Sequence, residues 1–182
     1  NEMGITNPEF PNESVPQGDL EAHEFNPVPG LNDDGEGVEL FTDFMAMLGP
    51  PPRGPRTSQT DAGARVFQDI GCVNCHTPTH VTGNSPIAAL SNKTFQPFSD
   101  FLLHDMGQLG DNIRQGQSRP GEMRTAPLWG LKSRPTFLHD GRAKTIEAAI
   151  LAHAGQGSDS RRNFARLESR ERQSLMAFLK SL

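Results

Sequence analysis

The 182-residue chain has two cysteines, and they stand together as Cys72-Val73-Asn74-Cys75-His76. Two thiols three residues apart, followed at once by an imidazole, have the spacing that attaches a c-type haem. Each sulfur can add to one vinyl group of a porphyrin, and the adjoining histidine then points at the iron from the same side. Thioether bonds would keep the cofactor in place even when axial ligands exchange. Three other chemistries use these residue types. A disulfide between Cys72 and Cys75 would close a tight ring and leave His76 without a task. A redox-active dithiol belongs in a βαβ setting, of which this sequence shows no sign. A zinc site would need Cys72, Cys75 and two of His76, His80 and His104, and the spacing to a second ligand pair is not that of a zinc finger. The expected cofactor is haem c, with its iron, one per chain.

With His76 on one side of the iron, the other side has several candidates: His104, Met106, Met123, His139 and His153. His80 lies four residues from His76, too near to pass round the ring. Met106 stands in a short apolar turn beside Leu102 and Leu103, where the bland reading is a core plug. His153 falls on the apolar stripe of residues 145–154, with Ile146, Ala149 and Ile150.

These residues need elements to hold them. Residues 1–38 are broken by Pro8, Pro11, Pro16, Pro27 and Pro29 and read as irregular. Leu40, Phe41, Phe44, Met45 and Leu48 have helical spacing, and the proline run of residues 49–56 then reads as a semi-rigid linker. A helix with Gly63, Val66, Phe67 and Ile70 on one stripe, capped by Thr60 or Asp61, leads to Gly71 and the cysteine motif. Residues 77–97 read as a loop and residues 99–107 as a short helical turn. Thr145 caps a helix over residues 145–154, and Ser169 caps a last one carrying Leu175, Phe178, Leu179 and Leu182. Gly63 suits a close crossing of the first and last of these helices. The expected fold is mainly α: a cytochrome c-like haem domain with long loops over residues 57–182, and an extended acidic, proline-rich arm over residues 1–56.

Charge divides the chain in the same way. Residues 1–60 hold eleven acids and two bases, a net of −9, while residues 61–182 hold eleven acids and fifteen bases, a net of +4. The basic excess is modest and not interleaved with aromatics, so no nucleic-acid partner is expected. No stretch reaches the roughly 18 apolar residues of a transmembrane helix. The opening residues, NEMGITNPEF, lack the basic and apolar regions of a signal peptide, which suggests a removed leader or a piece of a longer chain.

The stretches SDFLLHDMG, RTAPLWGL and FLHDGRAKTIEAAI follow the cysteine motif in that order. They resemble the C-terminal haem domain of the bacterial di-haem cytochrome c oxidoreductases, relatives of the di-haem cytochrome c peroxidases. MGITNPEFP and LGPPPRG are similar to the stretch between that family's two haem domains. The resemblance implies an electron-transfer haem with His76 and His153 as axial ligands, Met106 being the alternative to His153. It also implies a pocket lined by Arg124, Pro127, Trp129, Phe137 and His139, which Phe67, on the helix before the motif, is expected to join. Two departures stand out. The family carries two haem motifs and this chain one, and the usual Gly-Gly-Glu after the helix reads Ala154-Gly155-Gln156 here. Electron transfer is therefore the expected role, with a haem peroxidase, the electron-transfer half of a two-haem enzyme, or a structural haem subunit as alternatives. A redox partner protein is expected, another haem protein or haem-bearing chain among the candidates. The expected location is periplasmic or extracellular, where haem is attached.

Covalent attachment has a direct consequence. Protein denatured and passed through acidified organic solvent should keep one haem by intact mass, whereas a haem that partitions into the solvent would contradict the reading of Cys72 and Cys75.

Overall fold

The computed structural model describes residues 5–12, 19, 21, 30–114 and 117–182. The chain divides into two compact units, one made of Asn1–Pro50 with Asn112–Pro120, the other of Pro51–Asp111 with Gly121–Leu182. The expected irregular stretch of residues 1–38 lies partly outside the described residues.

In the first unit, Thr6 is fully buried and acts as a clasp. Its N–H and hydroxyl both donate to Asn32 Oδ1, and its carbonyl accepts from the N–H groups of Asn32 and Asp33. This ties residues 6 and 30–33 together just ahead of helix α1, Glu36–Ala46. Glu36 and Glu39 sit in the first turn of α1, where the helix dipole favours carboxylates. No residue of α1 is buried.

The second unit is built on a helix crossing. Helix α2, Ser58–Asp69, starts at a reciprocal cap in which Thr57 Oγ1 accepts the Thr60 N–H and Thr60 Oγ1 accepts the Thr57 N–H. Helix α5, Ser169–Leu179, starts at Glu168, whose N–H is capped by the Glu171 carboxylate. The caps thus fall one to three residues before Thr60 and Ser169, because the capping side chain must precede the first helical residue and reach forward to it. At the crossing, a Cβ added to Gly63 would lie 2.0 Å from the Ser174 carbonyl oxygen and 2.7 Å from Phe178 Cβ. Only glycine allows that approach. Phe67, Ile70, Phe164, Leu175, Phe178, Leu179 and Leu182 gather around it as the core, joined by Phe98, Leu131 and Ile146. Full burial of each such side chain contributes about 1.5–3 kcal/mol.

Helix α3, Ile146–Ala152, is capped by Thr145, whose Oγ1 accepts the Ala148 N–H at 3.0 Å. Helix α4, Ser158–Ala165, follows and buries Phe164 completely. Four short strands accompany the helices. β1, His80–Val81, pairs antiparallel with β2, Thr94–Phe95. β3, Leu103–Asp105, pairs antiparallel with β4, Glu122–Arg124, with His104 opposite Met123.

These strands correct the expected fold class. Among the described residues the chain has five α-helices and two two-stranded antiparallel sheets, a mixed α/β arrangement rather than a mainly α cytochrome fold. The segment read as a helical turn, residues 99–107, contains β3 instead. Its backbone finds partners in β4, with His104 opposite Met123 19 residues on, an option that local spacing does not reveal. The proline run also packs tightly: Arg53 stacks over Phe98 and Phe178, and the Gly54 N–H donates to the Ser181 carbonyl at 2.9 Å.

The crossing gives a sharp test. Gly63→Ala forces two backbones apart and should cost at least about 3 kcal/mol in denaturant unfolding, at the upper end of core overpacking. A loss below about 1 kcal/mol would show that α2 and α5 do not meet at Gly63.

Candidate functional site

The cysteine motif occupies the turn directly after α2. Gly71 turns the chain (φ 85°), and Cys72–Asn74 form a single 3-10 turn in which the Cys75 N–H donates to the Cys72 carbonyl at 3.4 Å; the His76 N–H donates to the same carbonyl at 2.9 Å. Cys72 and Cys75 are both free thiols, half-buried. Burial pushes the Cys72 thiol up to about 12 and raises that of Cys75. At neutral pH Cys72 is therefore a protonated thiol, not the thiolate that a reactive dithiol needs.

A strap of residues 96–100 holds this turn. The N–H groups of Ser99 and Asp100 donate to the carbonyls of Thr77 (3.0 Å) and Cys75 (2.8 Å). Phe98 takes a left-handed backbone conformation (φ 52°), which costs a bulky residue about 1–3 kcal/mol. In that conformation the Phe98 carbonyl lies 2.9 Å from His76 Nδ1. A carbonyl can only accept, so Nδ1 carries the proton and Nε2 keeps its lone pair. Burial pushes the His76 imidazole down to about 4, against the hydrogen bond it donates to Phe98, so the ring is neutral at physiological pH, as a metal ligand must be.

His153 mirrors this arrangement. It stands at the C-cap of α3, just past the helix rather than within its stripe, and its Nδ1 lies 2.8 Å from the Ala149 carbonyl. Its Nε2 is again the atom left with a lone pair. The loop that follows is pressed against the β3 turn: a Cβ on Gly155 (φ 50°) would lie 2.2 Å from the Asp105 carbonyl oxygen. The Asp105 N–H donates to Gln156 Oε1 at 2.8 Å, an acceptor's role that a glutamate would fill as well.

The His76 and His153 rings lie with their centroids 6.4 Å apart, tilted by 51°. One metal atom between two imidazoles, with bonds of about 2.0–2.1 Å and roughly 1.1 Å from each nitrogen to its ring centre, asks for about 6.3 Å. The separation of the two rings matches that span. Met106 is next to His153: its Cε and His153 Cδ2 both come within 3.2 Å of the point where a Gly157 Cβ would stand.

The remaining candidates have other positions. Phe67 is buried, its ring 6.3 Å from that of His76. Trp129 donates its indole N–H to the Gln96 carbonyl at 2.7 Å and so braces the strap. Phe137 pairs with Ala143 and packs against the core. Pro127 is half-buried, and its carbonyl accepts from Arg134. Arg124 and His139 are exposed. His80 Nε2 lies 2.8 Å from the Ser99 carbonyl, with the ring beside Phe95 and Phe101. His104 is paired with Asp100 at 2.7 Å. Among the described residues, one group of potential metal-binding side chains draws together, Cys75, Asp100 and His104, and Cys72 is not in it. That does not match the zinc alternative.

Sequence reasoning missed the strap itself. Ser99 is fully buried, donates its hydroxyl to the Thr125 carbonyl at 2.7 Å and accepts the Phe101 N–H at 2.9 Å. A serine between Phe98 and Asp100 in a loop carries no signal of that role.

The family described as "Di-haem oxidoreductase, putative peroxidase" matches residues 1–182. The chain belongs to this family. Its function class is therefore haem-based redox chemistry, and the resemblance read from the residues after Cys75 holds over the full length. No curated protein matches the chain. Among solved structures, a chain of the xenon-pressurised hydrazine synthase of Kuenenia stuttgartiensis is similar in fold. It has 20% identity and a TM-score of 0.53, and the match covers 88% of this chain but 60% of that one. This chain thus spans less than two thirds of that neighbour.

The strap makes a measurable contribution. Ser99→Ala leaves the Thr125 carbonyl and the Phe101 N–H without their buried partner and should cost about 1–3 kcal/mol of stability. Unfolding by denaturant reads this directly; an unchanged midpoint would mean the hydroxyl holds nothing.

Proposed function

We propose that the second unit binds one haem c through Cys72 and Cys75, ligates its iron with His76 and His153, and passes electrons to a redox partner protein. The observation that carries this reading is the pair of imidazoles 6.4 Å apart, each with Nδ1 held by a backbone carbonyl. When bound, haem supplies a one-electron couple; the protein supplies ligation, burial and hydrogen bonding. His76 and His153 are both oriented before any ligand arrives, because each donates its Nδ1–H to a fixed acceptor. Such a hydrogen bond raises the basicity of Nε2, which favours the ferric state and sets the potential low in the roughly 0.8 V span open to haem proteins.

The enzyme alternative needs a free coordination position for peroxide. His76 and His153 would together occupy both sides of the iron, so this unit is read as the electron-transfer half of a two-haem system. Haem attachment implies export, and we place the protein in the periplasm or outside the cell. Among the described residues no helix is long and apolar enough to cross a membrane.

His153→Ala should open the iron, turn a low-spin spectrum high-spin and confer weak peroxidase turnover, while Met106→Ala should stay low-spin. If His153→Ala remained low-spin and Met106→Ala did not, Met106 would be the ligand.

A further inference from the structure

Helix α1 repeats the apolar pattern of α5. Phe41, Phe44, Met45 and Leu48 have the same spacing as Leu175, Phe178, Leu179 and Leu182, with Phe and Leu identical at the second and fourth positions. The four α5-side residues are 0%, 5%, 4% and 3% exposed, and α2 is the helix that lies across them. Their α1 counterparts are 72%, 60%, 60% and 53% exposed. Four large apolar residues on one face, three of them within eleven helical residues, form a surface made for burial. Leu40, which takes the place of Ser174, widens that face.

The inventory of elements suggests what covers it. The family is di-haem, and this chain has one Cys-x-x-Cys-His motif. It therefore carries two helices of the α5 pattern and one attachment helix of the α2 kind. α2 is already covered by α5, so a second copy of this chain has no uncovered helix of that kind to offer. A lipid surface is also a poor match: the polar side of α1 carries Glu36, Glu39 and Asp43 and no base, the reverse of a helix that lies on anionic lipid.

We infer that α1 is the docking surface for the attachment helix of a second haem unit. That helix has a small residue at the crossing, an aromatic four positions on, and its own Cys-x-x-Cys-His motif immediately after it. This rests on the family membership and not on the assignment of His153.

The probe is a synthetic peptide of residues 57–71, which carries Gly63 and Phe67 and stands in for the second attachment helix. It is stapled on its solvent side, because an isolated helix of this length is marginal. Fluorescence anisotropy measures its binding to the intact, haem-loaded chain. Saturable binding is expected, weakened at least tenfold by Phe44→Asp in the protein and equally by Gly63→Leu in the peptide. No saturation up to about 1 mM peptide would overturn the inference, as would equal affinity for the wild-type and Phe44→Asp proteins. Two further results would also overturn it. Self-association of the chain that Phe44→Asp abolishes would make the occupant a second copy. Binding to phosphatidylglycerol vesicles that Phe44→Asp abolishes would make it a membrane. The haem spectrum of Phe44→Asp stays that of the wild type in every case, so failure here is separable from failure of the ligand assignment.

Discussion

The hydrogen bond between His76 Nδ1 and the Phe98 carbonyl is the interaction on which the rest of the site depends. It fixes the tautomer of the imidazole and therefore the nitrogen that can reach a metal. To supply it, Phe98 adopts a left-handed backbone, an unfavourable state for a bulky residue that persists only where the surroundings impose it. The surroundings here are specific. The Phe98 ring is buried edge-on against Phe67 and Phe178, with Arg53 over its face. The next two residues donate to the cysteine turn, and Ser99 ties the strap to Thr125. Packing of the ring, on one side of the backbone, holds the carbonyl on the other.

The same economy links the fold to the far side of the site. The α2–α5 crossing sets where the cysteine turn leaves α2, and the Gly155 contact with β3 sets where the chain leaves α3. Both are close approaches of backbone to backbone, which transmit position more stiffly than side-chain contacts do. His76 and His153 are 77 residues apart in sequence, yet each is placed by such a contact next to it. This gives a site whose two nitrogens can be oriented by the protein alone, as the proposed ligation would require.

Legibility in the sequence followed the range of the interactions. The cysteine motif, the caps at Thr145 and near Thr57, the glycine at the crossing and the apolar stripe of α5 are written in local spacing. The family could be read as well, because several stretches match it in order. What stayed hidden was non-local. β3 and β4 are three residues each, too short for an alternating pattern, and their pairing depends on backbone partners across a loop. α4 reads SDSRRNFA, polar but for Phe164 and Ala165, and the complete burial of Phe164 comes from its neighbours and not from its own helix. The strap is invisible for the same reason, since its work is done by carbonyls and one hydroxyl. The sequence puts His153 on the apolar stripe of its helix; α3 ends one residue before it, and it is the helix end, and not the helix face, that aims the ring.

The central claim is that one iron sits between two imidazoles. Near-infrared magnetic circular dichroism of the oxidised, haem-loaded protein tests it most directly, because the energy of the porphyrin-to-iron charge-transfer band separates two nitrogen ligands from nitrogen plus thioether. The account predicts a low-spin band at the bis-imidazole position. A band at the histidine–methionine position, or a high-spin spectrum, would contradict it.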